Sequence, residues 1–227
     1  MACVPALAQK KKTDPPKPAC QLGLDQSPEL RGFRLGMSQA AVLARLPGVT
    51  LEKPDKFGLA RLRLSIIDPN PVIKAAPGGK AIQPDLISPP GEGSAFVIDD
   101  SRLPAFKGTR RIQMRFIDGR LSYLQVAYDD AIKWESIDQF VETVSATLKL
   151  SQDWRASAES DTGSEKELRC QGFVLTANTS GDPSDLNAGP ELILQDVAAW
   201  EAMSKRQIDI VEKQKKQEDE KRKTFKP

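Results

Sequence analysis

The sequence predicts an α+β fold: short helices packed on an antiparallel sheet, with a charged helix at the C-terminal end. Three observations predict it. Residues 59–67 and 111–128 alternate apolar and polar side chains with the period of two of half-covered strands. Residues 136–149 place apolar side chains at helical spacing behind a capping signature. From residue 196 the pattern turns helical and then almost wholly charged. With 227 residues, 39% of them hydrophobic, the chain suffices for one domain or for two small, degenerate tandem modules.

The elements follow in order. Residues 1–9 read MACVPALAQ, and Ala6-Leu7-Ala8 is a small-residue pattern of the kind signal peptidase cuts. The basic, Pro-rich stretch to residue 19 has too little apolar surface to order itself. Segment 1–19 is therefore expected to be a signal remnant and a disordered leader, and the mature protein to be periplasmic or extracellular. Cys3 would leave with the signal. Cys20 and Cys170 would remain as a pair, and an even pair in an exported protein is a disulfide candidate. In the loop-entropy picture such a bridge is worth roughly 5 kcal/mol before strain.

Segment 20–133 is expected to form a first helix-and-sheet module. Ser38 is a good N-cap, Met37 and Val42 suit a hydrophobic staple, and Pro47-Gly48 ends a helix of two to three turns. Leu62, Leu64 and Ile66 alternate with Arg61, Arg63 and Ser65 along a half-exposed strand. Residues 68–93 carry six prolines and four glycines, which exclude a helix interior or a central strand; they form a long insert. Ala95 to Ile98 suits a short strand. Residues 111–129 are the clearest hairpin, turning at Asp118-Gly119. The expected register sets Phe116 opposite Leu121 and Met114 opposite Tyr123. Leu124, Val126 and Tyr128 then fall on the other face, so both faces need cover.

Segment 134–203 is expected to form the second half. Ser136 to Gln139 is a capping box, and Ile137, Phe140, Val141, Val144 and Leu148 make an apolar stripe. Leu168 to Ala177 and Leu192 to Gln195 suit strands, with a loop over 181–190. Asp196 can cap a last helix, on which Val197, Trp200 and Ile208 are the residues expected to dock. Segment 204–227 is a charged helical tail. The two ends of the chain are basic, and the body between them is mildly acidic.

Little here points to catalysis. There is no histidine, which removes Ser-His-Asp and Cys-His nucleophiles, His-ligated metals and a His general base. No Walker A loop, G-x-S-x-G or Ser-x-x-Lys is present. Asp182, Asp185, Asn187 and Glu191 lack EF-hand spacing and suit a polar turn. Asp99-Asp100 and Asp129-Asp130 suit strand ends. No catalytic residue, metal site or cofactor is therefore expected. Trp134, Trp154 and Trp200 each flank a helix. They are expected at the core edge, and they are the candidate partner contacts, because tryptophan is enriched in binding hot spots. No aromatic platform accompanies the basic ends, so nucleic acid is not an expected partner. No apolar run approaches the roughly 18 residues that span a bilayer.

Gly36-Met37-Ser38 with Val42 and Leu46, followed by Phe116-x-Asp118-Gly119-x-Leu121, resembles the SmpA/OmlA (BamE-like) module. The layout is similar also to each half of the tandem β-lactamase-inhibitor-protein fold. The resemblance covers residues 32–128. It implies a short helical pair on an antiparallel sheet and a non-catalytic scaffold or protein-binding role, with residues 136–195 as a degenerate second copy or the rest of one domain. The expectation is thus an exported protein-binding or scaffold module of the cell envelope, its partner another envelope protein. The alternatives are a periplasmic small-ligand or lipid-binding module, which predicts a large apolar cavity under the sheet, and a His-free carboxylate hydrolase, which predicts Asp and Glu converging in one cleft. The sequence sets no oligomeric state.

Overall fold

The computed structural model describes residues 20–67, 94–99, 103–129, 133–157, 164–179 and 189–224. The leader, Cys3, the insert 68–93 and the loop residues Asp182, Asp185 and Asn187 lie outside the described residues. Among the described residues, eight strands form one sheet in the order β2-β1-β3-β4-β8-β7-β6-β5. They are β1 (Leu59–Ile67), β2 (Ser94–Asp99), β3 (Thr109–Ile117), β4 (Arg120–Tyr128), β5 (Arg155–Ala156), β6 (Glu165–Arg169), β7 (Val174–Asn178) and β8 (Glu191–Gln195). Seven strands run antiparallel, and β2 lies parallel to β1 at one edge. The helices are α1 (Gln39–Leu43), α2 (Ile137–Leu148) and α3 (Val197–Thr224). The protein is a mixed α and β fold, as its periodicities predict. No described helix is long and apolar enough to cross a membrane.

The strands on either side of residues 133/134 meet where β4 pairs with β8, from Tyr123 opposite Gln195 to Ala127 opposite Glu191. One face of this sheet carries the core. Leu62 and Leu64, Ile112 and Met114, Leu124 and Val126, Leu192 and Leu194, and Leu175 and Leu168 lie side by side across the strands and are buried. Phe33, Val42 and Leu46 cover one end of that face, and Ile137, Phe140, Val141 and Val144 of α2 cover the other. At about 25 cal/mol per Å² of apolar surface, each such fully covered side chain contributes roughly 1.5–3 kcal/mol. The helix starts are set by their caps. Ser38 Oγ accepts from the Ala41 amide at 3.2 Å, and Ser136 Oγ from the Gln139 amide at 3.2 Å. Gln139 Oε1 completes the second cap one residue earlier than a capping box requires, accepting from the Glu135 amide at 3.0 Å. Lys166 of β6 pairs with Asp138 in the first turn of α2.

Four expectations are corrected. Met114 does not face Tyr123. The register shifts between Arg115 and Phe116, so Phe116 opposes Leu121, Arg115 opposes Tyr123 and Met114 opposes Leu124. Ser122 is the extra residue of a β-bulge. The bulge turns Leu121, Leu124, Val126 and Tyr128 to the α2 side together and leaves Tyr123, Gln125 and Ala127 on the other face. Leu168 to Ala177 is not one strand but two, β6 and β7, joined by a tight turn at Cys170–Phe173. The helix after Ser38 is shorter than expected, five residues, and Ala44 to Gly48 continue as turns. Ile208 does not dock: it is 58% exposed, and Met203, on the face of α3 turned to the sheet, is buried in its place.

The sulfurs of Cys20 and Cys170 lie within disulfide bonding distance, their Cα atoms 4.4 Å apart across 150 residues of sequence. The Cys20 amide donates to the Arg169 carbonyl at 3.1 Å, and the Gly172 amide to the Leu22 carbonyl at 3.1 Å. The chain start is thereby laid along the β6–β7 turn. The contact is close enough that a Cβ at residue 172 would collide with the backbone of Gly23 and Leu24, which explains the glycine there. Thiol labelling of the unreduced protein is expected to leave Cys20 and Cys170 unmodified. Cys170→Ser is expected to cost about 2–5 kcal/mol of unfolding free energy by chemical denaturation. Full labelling of both thiols, with no change in stability on substitution, contradicts the bridge.

Candidate functional site

A pocket of about 460 Å³ opens on the α2 side of the sheet, where β4 ends and β8 begins. Its walls are the side chains of Tyr128, Trp134, Phe140, Val144 and Leu192, with Leu30 from the chain start. The volume falls within the range of small-ligand sites. Trp134 and Phe140 are in tilted ring contact, centroids 5.0 Å apart. Tyr128 is fixed by its backbone. Its amide donates to the Pro190 carbonyl at 2.9 Å, and its carbonyl accepts from Arg110 Nε at 2.8 Å. Burial pushes the Tyr128 phenol above its usual range, an effect the nearby Arg31 opposes.

Three charged residues, Arg31, Lys107 and Asp129, share the lining. Arg31 comes from a two-residue turn. Leu30 and Phe33 exchange backbone hydrogen bonds at 2.9 and 3.0 Å, and the residues between them, Arg31 and Gly32, have φ of 53° and 87°. Both central residues of such a turn need positive φ, and asparagine, aspartate or glycine normally supplies the first. An arginine held there costs about 1 kcal/mol. The turn aims its guanidinium over the Tyr128 ring, 5.1 Å from the centroid, and Arg31 Nη1 donates to the Ala105 carbonyl at 3.3 Å. Ala105 and Lys107 belong to the turn around the 3-10 segment Pro104–Phe106, and Phe106 anchors that turn on Phe33 with centroids 6.0 Å apart.

A second constellation lies on the opposite face. Asp196 Oδ1 caps α3, accepting from the Ala199 amide at 3.0 Å. The bulge at Ser122 leaves a carbonyl outside the strand ladder, and this carbonyl takes the Asp196 amide at 3.0 Å and Trp200 Nε1 at 3.2 Å. Arg115 lies over both Tyr123 and Trp200, 4.6 and 5.5 Å from the ring centroids, and the two rings meet edge-on at 6.2 Å. Tyr123 donates to Gln125 Oε1 at 3.2 Å, and Gln125 Nε2 donates to Glu191 at 2.7 Å. Burial raises the Tyr123 phenol against the pull of Arg115. Two turns further on, Arg206 forks onto Asp118 at 2.7 and 2.8 Å, which holds that carboxyl below its usual range. Arg206 also reaches the Phe57 carbonyl at 3.3 Å. Beyond this root α3 leaves the body, and residues 211–222 are all exposed.

The three tryptophans are not brought together. Trp154 Nε1 donates to Ser145 Oγ at 2.7 Å at the foot of α2. Trp200 locks α3 to the sheet, and Trp134 lines the pocket. Glu191 sits on β8, held by Gln125. Among the described residues no three His, Cys, Asp or Glu side chains gather closely enough to hold a metal ion. Sequence reasoning missed Arg31, Lys107 and Tyr128 as site residues. One signal was available: Leu30-Arg31-Gly32-Phe33 has the pattern of a two-residue turn between apolar residues, with an arginine where that turn disfavours it. No protein-family model, curated protein or solved structure matches the chain.

Tyr123 and Tyr128 are the only tyrosines of the chain. Both hold their protons more tightly in the native state than in an unfolded chain, where tyrosine ionises near pH ~10. The native state then binds more protons, so stability is full below pH ~10 and falls as pH rises above it. Phenolate absorbance of the native protein is expected to appear only above pH ~10, alongside a falling denaturation midpoint. Ionisation of either tyrosine in the native state below pH ~10 contradicts the assignment.

Proposed function

We propose that the protein is an exported, non-catalytic binding module of the cell envelope that engages another envelope protein through α3. The observation that carries this reading is the helix itself. It has 28 residues, about 42 Å, of which only the first ten or so touch the sheet. A helix polar all round gains nothing from packing by itself, and such helices serve as bridges between bodies. Its root is nevertheless fixed by the Ser122 carbonyl, the Arg115 stack and the Arg206–Asp118 fork, so its direction is set. A rigid root under an exposed, charged shaft suits a docking arm. The Cys20–Cys170 pair fits an oxidising compartment, which supports export. The lack of histidine and the ordinary structural partners of the described carboxylates around Asp118 and Glu191 support a non-catalytic role.

The pocket favours a second reading, in which the module holds a small ligand or lipid. The space for such a ligand lies on the α2 side of the sheet, where β4 ends and β8 begins.

Site-specific photo-crosslinking in the source cell's envelope tests the first reading. Crosslinkers placed at residues 213–222 are expected to trap one discrete protein, while crosslinkers on the exposed face of α2, at Glu142 or Ala146, trap none. Truncation after Val211 is expected to leave the fold intact and reduce capture about tenfold or more. Equal capture by the truncated and full chains overturns the docking role of α3.

A further inference from the structure

We propose that the pocket under α2 is a binding site for an anionic amphiphile, with an apolar chain between Trp134, Phe140 and Val144 and a carboxylate-type head at Arg31 and Lys107. This rests on the reading of the pocket as a ligand site and names its ligand class. Three observations carry it. The first is size: at roughly 30 Å³ per water-sized group, 460 Å³ takes about fifteen, a chain of medium length rather than a whole phospholipid. The second is polarity along the pocket. Its lining joins aromatic and aliphatic side chains, of which Phe140, Val144 and Leu192 are buried, to half-buried Arg31 and Asp129 and exposed Lys107. A ligand apolar throughout would strand those charges, and one polar throughout would waste the walls.

The third is the placement of Arg31. A turn that favours asparagine or glycine carries arginine instead, in a left-handed conformation. Its side chain is braced by the Ala105 carbonyl, the Tyr128 ring and the Tyr128 hydroxyl, which hold at the pocket a guanidinium whose planar fork suits a carboxylate. Lys107 adds a second cation from the facing turn, and Asp129 is the one acidic group among the described lining residues. The two cations against one carboxylate select a head with a single negative charge over a neutral or cationic one.

The test is calorimetric titration of the full chain with decanoate, decanol and decylammonium, repeated on Arg31→Asn and Thr143→Trp. Asparagine suits the turn, so Arg31→Asn is expected to fold with an unchanged or higher melting temperature. Thr143 lies on the exposed rim of α2, where tryptophan blocks the mouth without entering the core. Decanoate is expected to bind about tenfold or more tightly than decanol, and decylammonium most weakly. Arg31→Asn is expected to erase the advantage of decanoate over decanol, and Thr143→Trp to abolish binding of both. Equal affinity for decanoate and decanol, or an advantage that survives Arg31→Asn, overturns the anionic head while leaving the pocket as an apolar site. Absence of binding by all three, or binding untouched by Thr143→Trp, overturns the pocket as a ligand site altogether.

Discussion

The pairing of β4 with β8 is the constraint on which the rest of the structure depends. Five residue pairs, Tyr123 opposite Gln195 through Ala127 opposite Glu191, join strands separated by some seventy residues of sequence. On one face the seam aligns Leu124 with Leu194 and Val126 with Leu192, all buried. On the other, Gln125 opposes Ile193 and Ala127 opposes Glu191, and Gln125 donates diagonally to Glu191. Without it β1–β3–β4 and β5–β8 would be two small sheets, each with an open edge and half a core. With it, one hydrophobic layer runs beneath α1 and α2. The Cys20–Cys170 bridge, itself buried in this layer, ties Cys20 to the β6–β7 turn.

Both candidate sites hang on this seam, one at each end and on opposite faces. At one end Tyr128 follows β4 into the pocket wall, its amide bonded to Pro190 just before β8. At the other end the Ser122 bulge frees a carbonyl that receives the first turn of α3 and the Trp200 indole just after β8. The bulge also decides which aromatic goes where: it sends Tyr128 to the α2 side and Tyr123 to the α3 side. One inserted residue in β4 thus separates an apolar pocket from a polar helix root.

Much of the fold was legible because it follows local periodicity. The strand 59–67, the hairpin turn at Asp118-Gly119, the α2 stripe and the caps at Ser38, Ser136 and Asp196 all stand where the sequence puts them. What escaped depends on geometry that alternation does not encode. A bulge shifts the phase without changing composition, so the register before Phe116 was wrong by one residue. The β6–β7 turn at Gln171-Gly172 was hidden in a run of apolar residues, and the reason for its glycine is the distant backbone of Gly23 and Leu24, not the turn alone. Ile208 looked like a docking residue by hydropathy, but the face of α3 turned to the sheet is set by Trp200, Met203 and Arg206. The pocket was the least legible, since its walls come from Leu30, Tyr128, Phe140 and Leu192, which only the folded sheet brings together.

The claim that one seam unites the molecule is tested most directly by native-state hydrogen exchange, followed residue by residue across increasing denaturant. The amides of β3, β4, β7 and β8 are expected to share one protection class that opens only with global unfolding. The projecting turns of α3 should exchange first. If β6–β8 open together at low denaturant while β1, β3 and β4 stay protected, the two halves fold independently and the seam is not the constraint described here.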